Sequence, residues 1–264
     1  MTMIISTVIV LAVVGLLMGV LLVFASETFK VEVDPRETAV RECLPGNNCG
    51  ACGYAGCDAM AAAIVSGAAP VNGCPVGGAP VGDRIAEVMG VTAGAELEKK
   101  VAFVRCAGTC DIQEPKCNYI GIETCEAAMT LPGKGIKSCT YGCLGYGSCA
   151  AVCPFNAIKV VDGIAKVDRS KCVACGKCVA ACPQKLIEIV PDRAVYAVQC
   201  SNKEKGPIVK QICPVGCLGC GLCVRQCEHG AISLTDNVAH IDHSKCVGCG
   251  KCAEKCPAKI IRTR

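Results

Sequence analysis

Tryptophan is absent from the 264 residues, and there are only five tyrosines and four phenylalanines. That scarcity excludes a core built on large aromatic side chains. It also removes the stacking platform on which single-stranded nucleic acid binds, so no nucleic-acid partner is expected. The only histidines are His229, His240 and His243, and all three read as surface or turn residues, not as ligands. Charge is missing from Met3 to Phe24, 22 consecutive residues. As a helix this stretch spans about 33 Å, which matches a bilayer core. It is too long for a signal-peptide core and no Lys or Arg precedes it, so a retained transmembrane anchor over 1–25 is expected. Lys30, Arg36 and Arg41 follow it. By the positive-inside rule they place the body of a single-pass protein in the cytoplasm, at the cell membrane.

What the chain has in excess is cysteine, 27 in all. In a small secreted protein this density means disulfides, but cytosolic thiols stay reduced and open to metal. The cysteines form a ladder written twice: Cys143, Cys149, Cys153, Cys172, Cys175, Cys178 and Cys182, then Cys217, Cys220, Cys223, Cys227, Cys246, Cys249, Cys252 and Cys256. A shift of 74 positions carries every member of the first copy onto a member of the second, the mark of a duplicated module. The run C-x2-C-x2-C-x3-C is the spacing by which thiolates hold cubane iron-sulfur clusters. Structural zinc prefers paired C-x2-C knuckles. Modules this small bury too little apolar surface to fold unaided, so the bound inorganic core must supply folding free energy.

In chain order, a charged stalk is expected over 26–42 and a small helical domain over 43–80. In that domain Cys49, Cys52, Cys57 and Cys74 are spaced C-x2-C-x4-C-x16-C and supply four thiolates, while Cys43 reads as a packing residue. A linker over 81–138 carries an amphipathic helix near Ile85, Val88 and Met89 and a short strand at Ala102–Arg105. Its cysteines, Cys106, Cys110, Cys117 and Cys125, follow no regular spacing. Cys106, Cys110 and Cys125 are candidates for a further cluster completed by Cys200 or Cys213, with plain buried thiols as the alternative. Hairpins with two-residue turns are expected at Ala157–Val167 and Ala231–Ile241. Basic residues crowd the last quarter, among them Lys203, Lys205, Lys210, Arg225, Lys251 and Lys255. They read as a solvated surface or as a docking face for an acidic electron carrier.

Two cysteine runs separated by a hairpin resemble the bacterial two-cluster ferredoxin fold, here in modules 139–190 and 213–264 joined by a connector at 191–212. The expected class is therefore α+β: a single transmembrane helix, a small helical 4Fe-4S domain, and two tandem two-cluster ferredoxin modules. The resemblance implies that the fourth cysteine of each run ligates the other cluster. Cys153 then joins Cys172, Cys175 and Cys178; Cys227 joins Cys246, Cys249 and Cys252; Cys256 joins Cys217, Cys220 and Cys223. Tyr146 stands where the first module needs a thiolate, leaving Cys143, Cys149 and Cys182. Cys139 is the nearest replacement, with a three-iron cluster as the alternative.

The whole order, NCGACGYAGC through NGCPVGG to CLGYGSC and the paired ferredoxin runs, resembles the iron-sulfur B subunit of the Rnf complex, the membrane-bound ion-translocating ferredoxin oxidoreductase. The resemblance implies a protein that accepts electrons from soluble ferredoxin and passes them to the membrane subunits of its complex. The final acceptor in that family is commonly NAD, and no nucleotide-binding signature occurs here to decide it. Electron transfer of this kind needs no catalytic acid, base or nucleophile. Ion coupling needs polar groups within membrane helices, and must lie in partner subunits. The rival readings are a membrane-tethered polyferredoxin without pumping partners and an enzyme with an open iron site near Cys106 or Tyr146. Six [4Fe-4S] clusters use 24 of the 27 cysteines. Counting iron and acid-labile sulfide per chain is expected to give six, and a complement of five removes the Cys106 site.

Overall fold

The structure, a computed structural model, describes residues 2–28, 34–92, 98–113 and 115–263. Helix α1 runs Thr2–Thr28, and its apolar side chains from Leu11 to Phe24 stand exposed. Its side chains are described without interruption only over 11–25. Among the described residues no helix is long and apolar enough to cross a membrane. The expected transmembrane helix over 1–25 is therefore not supported by them and rests on sequence alone. Part of the expected stalk, 29–33, lies outside the described residues.

Asp34 accepts a hydrogen bond from the Arg36 amide and Pro35 occupies the first turn, so helix α2 starts sharply at Pro35–Cys43. Two further helices, α3 (Cys57–Val65) and α4 (Gly78–Met89), pack on it. Val40 and Ile85 are fully buried between them with Met60 and Ile64. The stalk from Pro35 onward is thus part of the first domain, and so is the amphipathic helix expected in the linker. Arg41 Nε meets Asp58 Oδ1 at 2.5 Å across the α2–α3 contact.

Beyond Lys99 the chain makes two copies of one plan. The first contains β1 (Lys100–Val104), α5 (Cys125–Met129), α6 (Ser148–Ala151), β2 (Ile158–Val161), β3 (Ile164–Val167), α7 (Lys177–Ala181) and β4 (Ile187–Pro191). The second contains β5 (Tyr196–Val198), α8 (Gly206–Ile212), α9 (Leu222–Gln226), β6 (Ile232–Thr235), β7 (Val238–Ile241), α10 (Lys251–Glu254) and β8 (Ile261–Thr263). The hairpins β2–β3 and β6–β7 form as expected. Their turns, Asp162-Gly163 and Asp236-Asn237, have positive φ at both residues, as a two-residue turn matching the strand twist requires. The outer strands pair antiparallel, β1 with β4 from Lys100 opposite Pro191 to Val104 opposite Ile187, and β5 with β8. Each module is therefore closed by a strand well ahead of its first regular cysteine run.

All four sheets among the described residues have only two strands of three to five residues, and such pairs are marginal in water by themselves. They gain stability by packing on cysteine-bearing loops, because Cys149, Cys172 and Cys178 belong to the same core as Val101, Ile158 and Ile187. The modules also touch each other. Ala107 packs in the second core, Ser201 Oγ donates to the Arg105 carbonyl at 3.2 Å, and the Arg105 guanidinium donates to the Cys200 carbonyl at 3.4 Å while pairing within its own module with Glu188 at 2.7 Å. His240 of β7 stands 3.6 Å from the same Glu188.

Candidate metal centres

The ligand loops have one recurring geometry. Gly147, Gly176, Gly221 and Gly250 each adopt a left-handed conformation and open the short helices α6, α7, α9 and α10. That places Cys149, Cys178, Cys223 and Cys252 in the first turn of each helix, all buried. A second constraint falls on the loop ahead. A Cβ at Gly145 would stand 2.6 Å from the Gly163 carbonyl oxygen, and one at Gly219 would stand 2.9 Å from that of Asn237. Glycine thus lets the Cys143 and Cys217 loops lie directly on the hairpin turns.

Four cavities are each lined by four thiols. Cys153, Cys172, Cys175 and Cys178 line one, and Cys217, Cys220, Cys223 and Cys256 line another; both groups are those the ferredoxin resemblance implies. A third is lined by Cys125, Cys143, Cys149 and Cys182, and a fourth by Cys106, Cys139, Cys200 and Cys213. Two groups are seen through their shared surroundings. Cys52 and Cys57 lie close enough to Cys74 to act on its thiol, with Cys49 on the same loop. Cys246 and Cys249 act likewise on Cys252, and Cys227 shares their core.

The third and fourth cavities correct two expectations. Cys139 lines the fourth cavity and not the third, where Cys125 stands with Cys143, Cys149 and Cys182. Thr124 caps α5 by accepting from the Ala127 amide at 3.2 Å, and the Cys125 amide donates to Ser148 Oγ at 3.0 Å. Tyr146 packs with Cys125, Ala128 and Leu144 and meets Tyr119 edge-on with ring centroids 5.6 Å apart. The aromatic thus seats the segment that carries Cys125. Cys110 and Cys125 are absent from the Cys106 group. The Cys110 amide is tied to the Asp162 carbonyl at the hairpin turn and its thiol is exposed. Cys117 is also exposed and Cys43 is half-buried in the first core.

Each module gives the Cys106 group an equivalent pair. Cys106 and Cys200 lie just beyond β1 and β5, and Cys139 and Cys213 precede the Cys143 and Cys217 loops. The signal was present in the sequence, since the 74-residue shift carries Cys139 onto Cys213 and equivalent residues should share a role.

Burial dominates the acidity of these thiols. It pushes Cys149 up to about 12, with Cys143, Cys125, Cys182 and Cys178 adding to it. Burial likewise takes Cys178, Cys223 and Cys139 to about 11; for Cys139 the Tyr141 amide opposes it and Cys106, Cys200 and Cys213 reinforce it. At neutral pH such thiols hold their protons, so a metal core that takes four thiolates must expel protons as it enters. Backbone amides already point at sulfur: Ala102 to Cys172 at 3.2 Å, Ala157 to Cys153 and Leu186 to Cys182 at 3.4 Å, and Ala231 to Cys227 at 3.3 Å. Bonds of this kind stabilise sulfur ligands of clusters. Among the described residues no group of three or more His, Cys, Asp or Glu side chains converges on a single metal ion. Four thiols spread around spaces of about 300 to 400 Å³, counted out to their open mouths, suit a polynuclear core instead.

The chain is 47% identical over 237 residues to the B subunit of the Na(+)-translocating ferredoxin:NAD(+) oxidoreductase complex of Acetobacterium woodii, covering 89% of this chain and 71% of that protein. It is 43% identical over 267 residues to the B subunit of the ion-translocating oxidoreductase complex of Methanosarcina acetivorans, covering 100% and 99%. The chain belongs to the family of B subunits of Rnf-type ion-translocating oxidoreductases. As a member of it, the chain is an electron-transfer iron-sulfur subunit of an ion-translocating complex. A third member, the B subunit of the proton-translocating ferredoxin:NAD(+) oxidoreductase complex of Clostridium ljungdahlii, is 40% identical over 92% of this chain and 86% of its own length.

Family models mark iron-sulfur binding along the chain. An Fe-S cluster model covers 44–76, an LdpA Fe-S cluster-binding model 147–193, and a 4Fe-4S dicluster model both 171–231 and 216–260. The 171–231 match joins the second run of one module to the first run of the next, out of step with the β1–β4 and β5–β8 pairing that frames each module. Cys125→Ser is expected to remove or convert one cluster, read by iron content and by the low-temperature EPR of the reduced chain. Cys110→Ser and Cys117→Ser are expected to leave both unchanged. An unaltered spectrum and iron content in Cys125→Ser would contradict this placement.

Proposed function

We propose that the chain is a membrane-anchored relay that takes electrons from reduced ferredoxin and hands them to the membrane subunits of its complex. In this reading each of the six four-thiol groups holds one [4Fe-4S] cluster, a group that supplies one-electron transfer with the added charge spread over several irons and sulfurs. One observation carries the proposal. The Cys143 amide donates to Cys106 Sγ at 3.4 Å and the Cys217 amide donates to Cys200 Sγ at 3.2 Å. The Cys106 group is therefore hydrogen-bonded through its own ligand sulfurs to the backbone of a ligand in each module.

The remaining placements support a direction. Cys220 and Cys249 are exposed whereas Cys139, Cys200 and Cys213 are buried, so the second module is open to a protein donor and the junction is sheltered. Lys210, Arg225, Lys255 and Lys259 are exposed on that module, and Lys203 beside them pairs with Asp236. Such a face steers an acidic carrier, and its attraction falls with salt. Anchoring by a single pass of α1, with the body on the cytoplasmic side, is supported by the charge-free run and by Arg36 and Arg41 after it. The donor is supported by the names of two relatives, which specify ferredoxin and NAD(+).

Membranes from cells lacking this chain are expected to lose ferredoxin-dependent electron transfer and to regain it when the chain is restored. Undiminished transfer in its absence would contradict the proposal.

A further inference from the structure

Lys137 is 3% exposed. Its ammonium donates to the Gly108 carbonyl at 3.0 Å and to the Gly163 carbonyl at 2.7 Å. Those acceptors belong to different places. Gly108 lines the cavity of the Cys106 group, and the Gly163 oxygen lies against Gly145 in the loop of Cys143. The cation is thus clamped between two adjacent four-thiol sites, two residues ahead of Cys139. The second module has nothing comparable, because the 74-residue shift carries Lys137 onto Gln211, which is exposed.

We propose that Lys137 is an electrostatic positioning residue that raises the reduction potentials of the clusters at the Cys106 and Cys143 groups. A cluster held by four thiolates is net negative, and reduction by one electron makes it more so; a fixed cation in a weakly screening interior favours that added electron. The electron comes from the protein donor, while no bond of Lys137 forms or breaks and its protons stay on Nζ. The junction then becomes a place where an electron entering from the second module is drawn inward. This rests on the proposed occupancy of the two groups by clusters.

The test compares full-length chain carrying its clusters with Lys137→Gln, which keeps a donor without the charge, and with Lys137→Arg, which keeps the charge. Iron content is measured first, then midpoint potentials by EPR-monitored reductive titration. Lys137→Gln is expected to retain its iron while two clusters become at least tenfold harder to reduce, a fall of about 59 mV for one electron. The clusters of the remote Cys153 and Cys227 groups keep their potentials, and Lys137→Arg stays near the unaltered chain. Full iron with unchanged midpoints in Lys137→Gln overturns the proposal. Loss of iron in Lys137→Gln overturns it too, since Lys137 is then a structural clamp. Failure of the cluster assignment itself appears separately, as missing iron in the unaltered chain.

Discussion

The structure depends on the convergence of buried thiols on shared cavities. Four sulfurs brought together, with burial making thiols such as Cys149 and Cys139 reluctant to ionise, make an arrangement that favours nothing until a cationic core accepts them. The rest of the two modules is slight by comparison: two-stranded sheets, helices of four to seven residues, and cores in which cysteine stands beside valine and isoleucine. Folding and cluster binding are then one process. The glycine-opened turns and the amides aimed at sulfur prepare the sites in advance, and this limits the reorganisation needed when an electron arrives.

The duplication is not a simple doubling. Each module keeps two sites of its own and gives half of a third, so the Cys106 group exists only where the modules meet. That junction is also where the copies diverge. Cys106 and Cys139 are 33 positions apart in the first module, whereas Cys200 and Cys213 are 13 apart in the second. The extra length carries Cys125, which lines the cavity of Cys143, Cys149 and Cys182, and it leads to Lys137. Arg105 and Ser201 tie the modules together beside Cys106 and Cys200, and His240 meets Glu188 across the same junction.

The regular cysteine runs and the two hairpins could be read directly, because close spacing and two-residue turns are local properties; the strand expected at Ala102–Arg105 forms two residues earlier at its start, as Lys100–Val104. Cys125 could not. Its position depends on a loop folding back over Tyr146 through Tyr119 and Leu144, contacts with no periodic signature. The Cys106 group was half legible: the spare status of Cys200 and Cys213 pointed to it, but sequence proximity argued for Cys139 beside Cys143, whereas its equivalence to Cys213 argues for the cavity it lines. The frame of each module was hidden for a related reason. The closing strands β1 and β5 precede the cysteine runs by different lengths, so the repeat in the cysteines does not extend to them.

The central claim is that the Cys106 group connects the two modules electronically. It is tested most directly by freeze-quench EPR after mixing the cluster-loaded chain with a reduced ferredoxin, using the unaltered protein and a Cys106→Ser, Cys213→Ser variant whose iron content shows the other clusters in place. In the unaltered chain, signals from both modules are expected to rise together. In the variant, reduction is expected to stay confined to the second module at early times. Equal and simultaneous reduction of both modules in the variant would contradict the account.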